Sequence, residues 1–225
     1  MDWEAIALTV RLSACTAFIL LTLGLPVAHW LATTRWRGRI FVEALIALPL
    51  VLPPTVLGFY LLVMLGPRSS FGHWFGALTD RSIPFSFPGL LVGSVLYSLP
   101  FALQPFTAAF RSVDRALVEA GANLGATPFR AFRRISIPLA WPGLLAGMVL
   151  SFAHTLGEFG VVLMIGGNIR GETRTVSIAI YDQVQSLDYA GAAQNSLFLL
   201  VISFAILSVT YGLQRNFRIV GPRHL

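Results

Sequence analysis

The sequence predicts an all-α integral membrane protein, and three observations carry that prediction. Of 225 residues, 56% are hydrophobic and only 12% charged, with a mean hydropathy of +0.74; soluble domains do not have this composition. The apolar residues fall into five stretches, each long enough as a helix to cross about 30 Å of hydrocarbon. A single long polar stretch, Ser112 to Trp141, interrupts them. No internal repeat or low-complexity segment divides the chain, so residues 1–225 read as a single membrane domain.

The first span runs from about Ile6 to Leu31. Arg11 lies near its start, where a long side chain reaches the headgroups. Gly24 and Pro26 predict a bend at its far end, and His29 and Trp30 read as interfacial. A basic loop, Thr33 to Arg39, leads to the second span, Ile40 to Leu65, with Glu43 near its entry. Pro49, Pro53 and Pro54 lie inside it. Each removes a backbone donor, which predicts a kink or a break. In lipid the freed carbonyls need protein or water beside them, so the bend is either structural or lines a pathway.

Gly66 to Ser86 reads as a polar loop with Arg68, Asp80 and Arg81. The third span, Phe87 to Phe110, carries no formal charge but contains Pro100, Gln104 and Pro105. The fourth begins at Trp141 as an interfacial anchor, with Pro142 at the first helical position, and ends near Ile165. In the outer segment Gly166 to Asp188, the spacing of Val176, Ile180, Val184 and Leu187 predicts a helix over Ser177–Leu187 lying in the interface. The fifth span covers Tyr189 to Gln214, and the tail carries Arg215, Arg218 and Arg223.

The polar interruption reads as two short helices around a glycine turn. Val113, Ala116, Leu117, Ala120 and Leu124 share one face at a 3.6-residue period. Gly125 ends the first helix in the left-handed region. Thr127 caps a second helix with Pro128 at its first position; Arg130, Arg133 and Arg134 suit its end, and Pro138 stops it. The apolar faces have two possible partners: the lipid headgroups or a groove on another protein.

His154 and Glu158 are the only midspan ionisable residues. Four apart, they share a face of a continuous helix. An unpaired charge at the bilayer centre costs about 2.5–3.5 kcal/mol on insertion scales, so Glu158 must face protein or water. Structural pairing across subunits or with a neighbouring span and a gate or pathway role are both open; one His and one Glu make a poor metal site.

Other classes are excluded by what is missing. All sixteen basic residues are Arg, so the Gly-Lys-Ser/Thr of a phosphate-binding loop is absent, and ATP, if used, binds another subunit. No cofactor, metal or catalytic group is expected in the chain. Cys15 stands alone, which rules out a disulfide framework. Met-Asp-Trp-Glu at the start lacks the basic region of a cleavable signal. The net charge of +6 points to membrane topology rather than to nucleic acid. Placing residues 112–141 in the cytoplasm collects eleven Arg on that side against five opposite, which satisfies the positive-inside rule with the N-terminus outside.

Glu119-Ala120-Gly121, then Gly125, Ile135 and Ile137-Pro138, resembles the EAA motif of ABC importer permeases in spacing throughout. Gly121 replaces an Ala and Ile137 a Leu. The resemblance implies a type I (MetI-like) permease fold, with cytoplasmic coupling helices between spans 3 and 4 that seat in a cleft of an ATPase subunit. Leu48 to Gly58, Leu156 to Gly160 and Gly171 to Thr175 further resemble the molybdate permeases; sulfate permeases are similar but usually longer. This implies a bacterial inner-membrane protein paired with a second copy of itself, an ABC ATPase and a periplasmic molybdate-binding protein. Glu119, Ala120, Gly121, Gly125, Ile135 and Pro138 would form the coupling site, with Pro53, Pro54, His154 and Glu158 as pathway or gate residues. No Arg or Lys lies in 44–65, 87–110, 141–165 or 190–214, so a dianion would meet only a weak conduit. A self-contained channel or secondary transporter is the competing class, with only Glu158 and His154 to serve it.

Overall fold

The computed structural model describes residues 1–79 and 82–219; Asp80, Arg81 and Arg223 lie outside that range. All regular structure among the described residues is helical. α1 (Trp3–Thr33) is capped by Asp2, whose side chain accepts from the N–H of Ala5, and runs unbroken through Gly24 and Pro26. α2 (Arg39–Val51) and α3 (Pro54–Leu65) occupy the stretch read as the second span and are bent by 112° at the break between them. The predicted proline break is there, with Pro54 opening α3. α5 (Phe87–Arg111) is the third span, and α11 (Tyr189–Ile219) the last. Among the described residues four helical stretches are long and apolar enough to cross a membrane, and the count is five when the bent α2–α3 pair is taken as one span.

The segment 66–86 is not simply a polar loop. It contains α4 (Ser70–Thr79), whose Phe71, Trp74 and Leu78 are exposed. These fall at i, i+3 and i+7, a spacing hidden by the glycines between them.

The fourth span departs most from expectation. Pro138 does not stop the helix of the interruption. α7 (Pro128–Ala131) passes through one π turn (Phe132–Ser136) directly into α8 (Ile137–Leu156). The N–H of Ile137 bonds to the carbonyl of Phe132, five residues back, and this widened turn makes room for a proline ring that would clash in a regular one. The span therefore begins well before Trp141, and Pro142 lies inside α8 rather than at its start. It also ends early. Gly157 to Phe159 break it, and α9 (Gly160–Gly166) follows as a separate short helix.

α1, α5 and α8 pack as the centre of the bundle. Leu20, Ala28 and Leu31 of α1 meet Leu103 and Phe106 of α5 and Leu144 of α8. Without a strong hydrophobic drive in lipid, such contacts depend on close approach, and glycines supply it. A Cβ on Gly143 would lie 2.5 Å from Ala109, and one on Gly147 would lie 2.7 Å from Phe106. A second cluster joins Leu12 of α1, Leu61 of α3, Leu90 of α5, the α9 residues Val161, Val162 and Ile165, and Ile178 of α10 (Val176–Gln185). The helix α10 is close to its predicted bounds, but it turns Val176, Ile178 and Ala179 inward, leaving Val184 and Leu187 exposed.

Candidate functional site: a coupling turn and a mid-bundle cavity

The turn within the polar interruption is built locally. α6 (Arg115–Asn123) starts at Asp114, whose carboxylate accepts from the N–H of Ala116. It ends in a Schellman motif: the N–H of Ala126 reaches the carbonyl of Gly121 at 3.0 Å and that of Gly125 reaches Ala122 at 2.9 Å, with Gly125 at φ +82°, as its sequence position predicts. Thr127 caps α7, accepting from Arg130. The glycine at position 121 lets α6 approach the π turn closely. A Cβ there would sit 2.6 Å from Ile135 Cδ1, so α6 lies across the π turn at these two motif positions.

α6 buries none of its residues in this chain. Leu117 is 49% exposed and Leu124 89%, so of the apolar face read from the sequence only Val113, half-buried against the α1–α5–α8 core, has cover here. Glu119 lines a cavity of about 300 Å³ with His29, Arg111, Arg115 and Ser136. His29 is not a free interfacial side chain; its ring lies 5.2 Å from that of Phe110 and 4.6 Å from that of Phe132. Arg111 also holds Glu43 of α2 in an ion pair.

The second element is a cavity of about 530 Å³ lined by Pro54, Thr55, Tyr97, His154, Glu158 and Gly160, among others. It lies where the two broken spans meet: a Cβ on Gly160 would be 2.5 Å from Pro54. Three of the four predicted pathway residues are thus brought together. Pro53 sits at the break behind them, as the residue before α3.

His154 and Glu158 share the cavity but not a helix face, because α8 ends between them. His154 Nδ1 faces Ser98 Oγ at 3.0 Å, and its ring stacks on Phe101 with centroids 3.9 Å apart. Ser98 also bonds Thr155 at 2.8 Å. Glu158 caps α9: its Oε1 accepts from the N–H groups of Val161 at 2.8 Å and Val162 at 3.2 Å. The side chain is buried, and Oε2 and Ser94 Oγ lack hydrogen-bond partners among the described residues. Sequence reading missed Tyr97, Ser98 and the cap. The paired glycines of Gly157-Glu158-Phe159-Gly160 were the available sign of a helix end.

A polar clamp closes the opposite end of the bundle. Buried Arg174 pairs with Asp2 at 3.2 Å and Asp182 at 2.9 Å. Thr173 bonds back to the carbonyl of Gly166 at 2.7 Å, Thr175 caps α10, and Thr9 of α1 accepts from the N–H of Val176 at 2.9 Å. The Gly171–Thr175 stretch and the start of α10 therefore fasten the 166–188 segment to the N-terminal end of α1.

Comparisons with known proteins agree with this architecture. The molybdenum transport system permease protein of Azotobacter vinelandii is 47% identical over 214 residues, covering 95% of each chain. The Escherichia coli K12 counterpart is 34% identical over 93% of this chain and 90% of its own. The E. coli sulfate permease CysT is 33% identical, with 72% of its length covered. Among solved structures, a bacterial transporter importing alginate matches at TM-score 0.76 with 20% identity, covering 97% of this chain and 79% of that one. The methionine ABC transporter MetNI in an inward-facing form matches at 0.72 with 19% identity, covering 96% and 95%. Residues 21–219 match the binding-protein-dependent transport system inner membrane components, and the chain belongs to that family.

Proposed function

We propose that this chain is the permease subunit of an ATP-driven importer that passes molybdate, and tungstate alongside it, from a periplasmic binding protein to the cytoplasm. Two copies span the inner membrane, each with its N-terminus periplasmic and its C-terminus cytoplasmic. The observation that carries the reading is α6. Its face of Leu117, Ala120 and Leu124 is preorganised by a Schellman turn and left uncovered. An ATPase cleft is the partner that such a short, rigid amphipathic helix fits. ATP binding draws the two α6 helices together and opens the path outward; hydrolysis resets it. The competing channel reading leaves this face without a purpose.

The cargo rests on the relatives named for molybdenum, which match nearly end to end. The chain itself offers the dianion little grip, since the cavity residues carry a buried carboxylate and no cation. Selection therefore falls to the binding protein, and the permease is a conduit that releases readily. Reconstitution with the ATPase and binding protein in proteoliposomes tests this. ATP-dependent molybdate uptake that excess sulfate does not suppress is the expected result. Sulfate uptake at comparable rate and affinity would move the chain to the sulfate permeases. Failure to co-purify with any ATPase would favour a self-contained transporter.

A further inference from the structure

Arg111 is the one described residue that lines both cavities at the coupling end of the bundle. One, of about 320 Å³, lies between α1, α2 and α5. The other, of about 300 Å³, lies beneath α6 and contains Glu119. Both cavities border this side chain, and its ion pair to Glu43 is the polar link between α2 and the end of α5 that leads into α6, beside the apolar packing of Val42 and Ile46 on the core. Arg111 is the last residue of α5, and only Ser112, Val113 and Asp114 separate it from α6. Glu43 belongs to a helix that buries just Ile46 and Pro49. That helix runs into the Leu52–Pro53 break, beyond which Pro54 lines the mid-bundle cavity against Gly160.

We infer that the Glu43–Arg111 pair is a positioning pair: it carries movement of the coupling helix to the proline-broken span, keeping the cavity in step with the ATPase. The inference rests on the permease reading above. Both side chains are partly exposed, at 38% and 46%, so the pair is a bias rather than a weld. A pair of this exposure shifts a two-state population by about fivefold at most. This suits a link that must re-form in each cycle.

The test is the molybdate taken up per ATP hydrolysed, measured in proteoliposomes with the ATPase and binding protein. Glu43→Gln and Arg111→Gln are each expected to lower that ratio by about two- to fivefold, with the ATPase still bound and hydrolysing. The exchange E43R with R111E restores it to near the wild-type value. If Arg111→Gln fails to assemble, Glu43→Gln and the exchange decide the matter without it. An unchanged ratio in the neutral variants, or an exchange no better than the single changes, overturns the inference and leaves the permease reading intact. A wild-type chain that recruits no ATPase overturns both.

Discussion

Glu158 Oε1 accepts the backbone N–H of Val161 at 2.8 Å, so the one carboxylate among the residues lining the cavity is tied to the start of α9 through one oxygen, while Oε2 has no hydrogen-bond partner among the described residues. A carbonyl oxygen serves this purpose as well as a carboxylate. Glu158→Gln is therefore expected to keep the cap and leave the apparent affinity for molybdate in uptake unchanged. Glu158→Ala strips both bonds and lowers stability by about 1–2 kcal/mol, read as an earlier thermal transition in detergent. A large rise in the apparent substrate constant of the Gln variant, with assembly intact, would place the carboxylate on the cargo instead.

Gly125 sits at φ +82° with open space where a Cβ would project, so the cost of a side chain there is conformational, not steric crowding. Gly125→Val forces a β-branched residue into the left-handed region, at about 1–2 kcal/mol, and unsettles α6 while sparing the spans. The expected outcome is normal membrane insertion with weakened ATPase co-purification. Glu119→Lys, which reverses an exposed charge on the same helix, acts in the same direction without touching the turn. Full substrate-stimulated ATPase activity in both variants would remove α6 from coupling.

Arg174 is buried between two carboxylates that keep some contact with solvent. Arg174→Met leaves both without their shared cation and frees the outer segment from α1. A loss of about 1–3 kcal/mol is expected. Hydrogen exchange localises it, with faster exchange in α10 than in α5. Uniform exchange across both helices would show that the clamp is decorative.

Orientation is tested with single cysteines in a Cys15→Ser background. A membrane-impermeant thiol reagent added outside is expected to label a cysteine at Ser70 and to spare one at Ala122. The reverse pattern would invert the whole arrangement.

The apolar helices and the glycine turn after α6 were legible because their signals are local. Apolar length marks a membrane helix, and Gly125, Thr127 and Pro128 each dictate the backbone at their own position. Pro138 misled because its effect depends on what precedes it: one widened turn removes the clash that makes proline a helix breaker. The shared helix face read for His154 and Glu158 failed for a similar reason. Four-residue spacing implies a shared face only if the helix continues, and here it ends at Leu156. Partners far apart in sequence, such as Ser98 with His154 or Glu43 with Arg111, leave no periodic trace at all.

The unbroken run from Pro128 to Leu156 makes a single rod of 29 residues, about 43 Å long at the α-helical rise. Its tightest contacts with α5, at Gly143 and Gly147, lie near its midpoint. A stiff rod held at the waist behaves as a seesaw: about 3° of tilt moves the two tips by about 1 Å each, in opposite senses. The tip that carries the coupling turn and the tip that carries His154 are then never independent. What draws one tip towards its neighbours swings the other away.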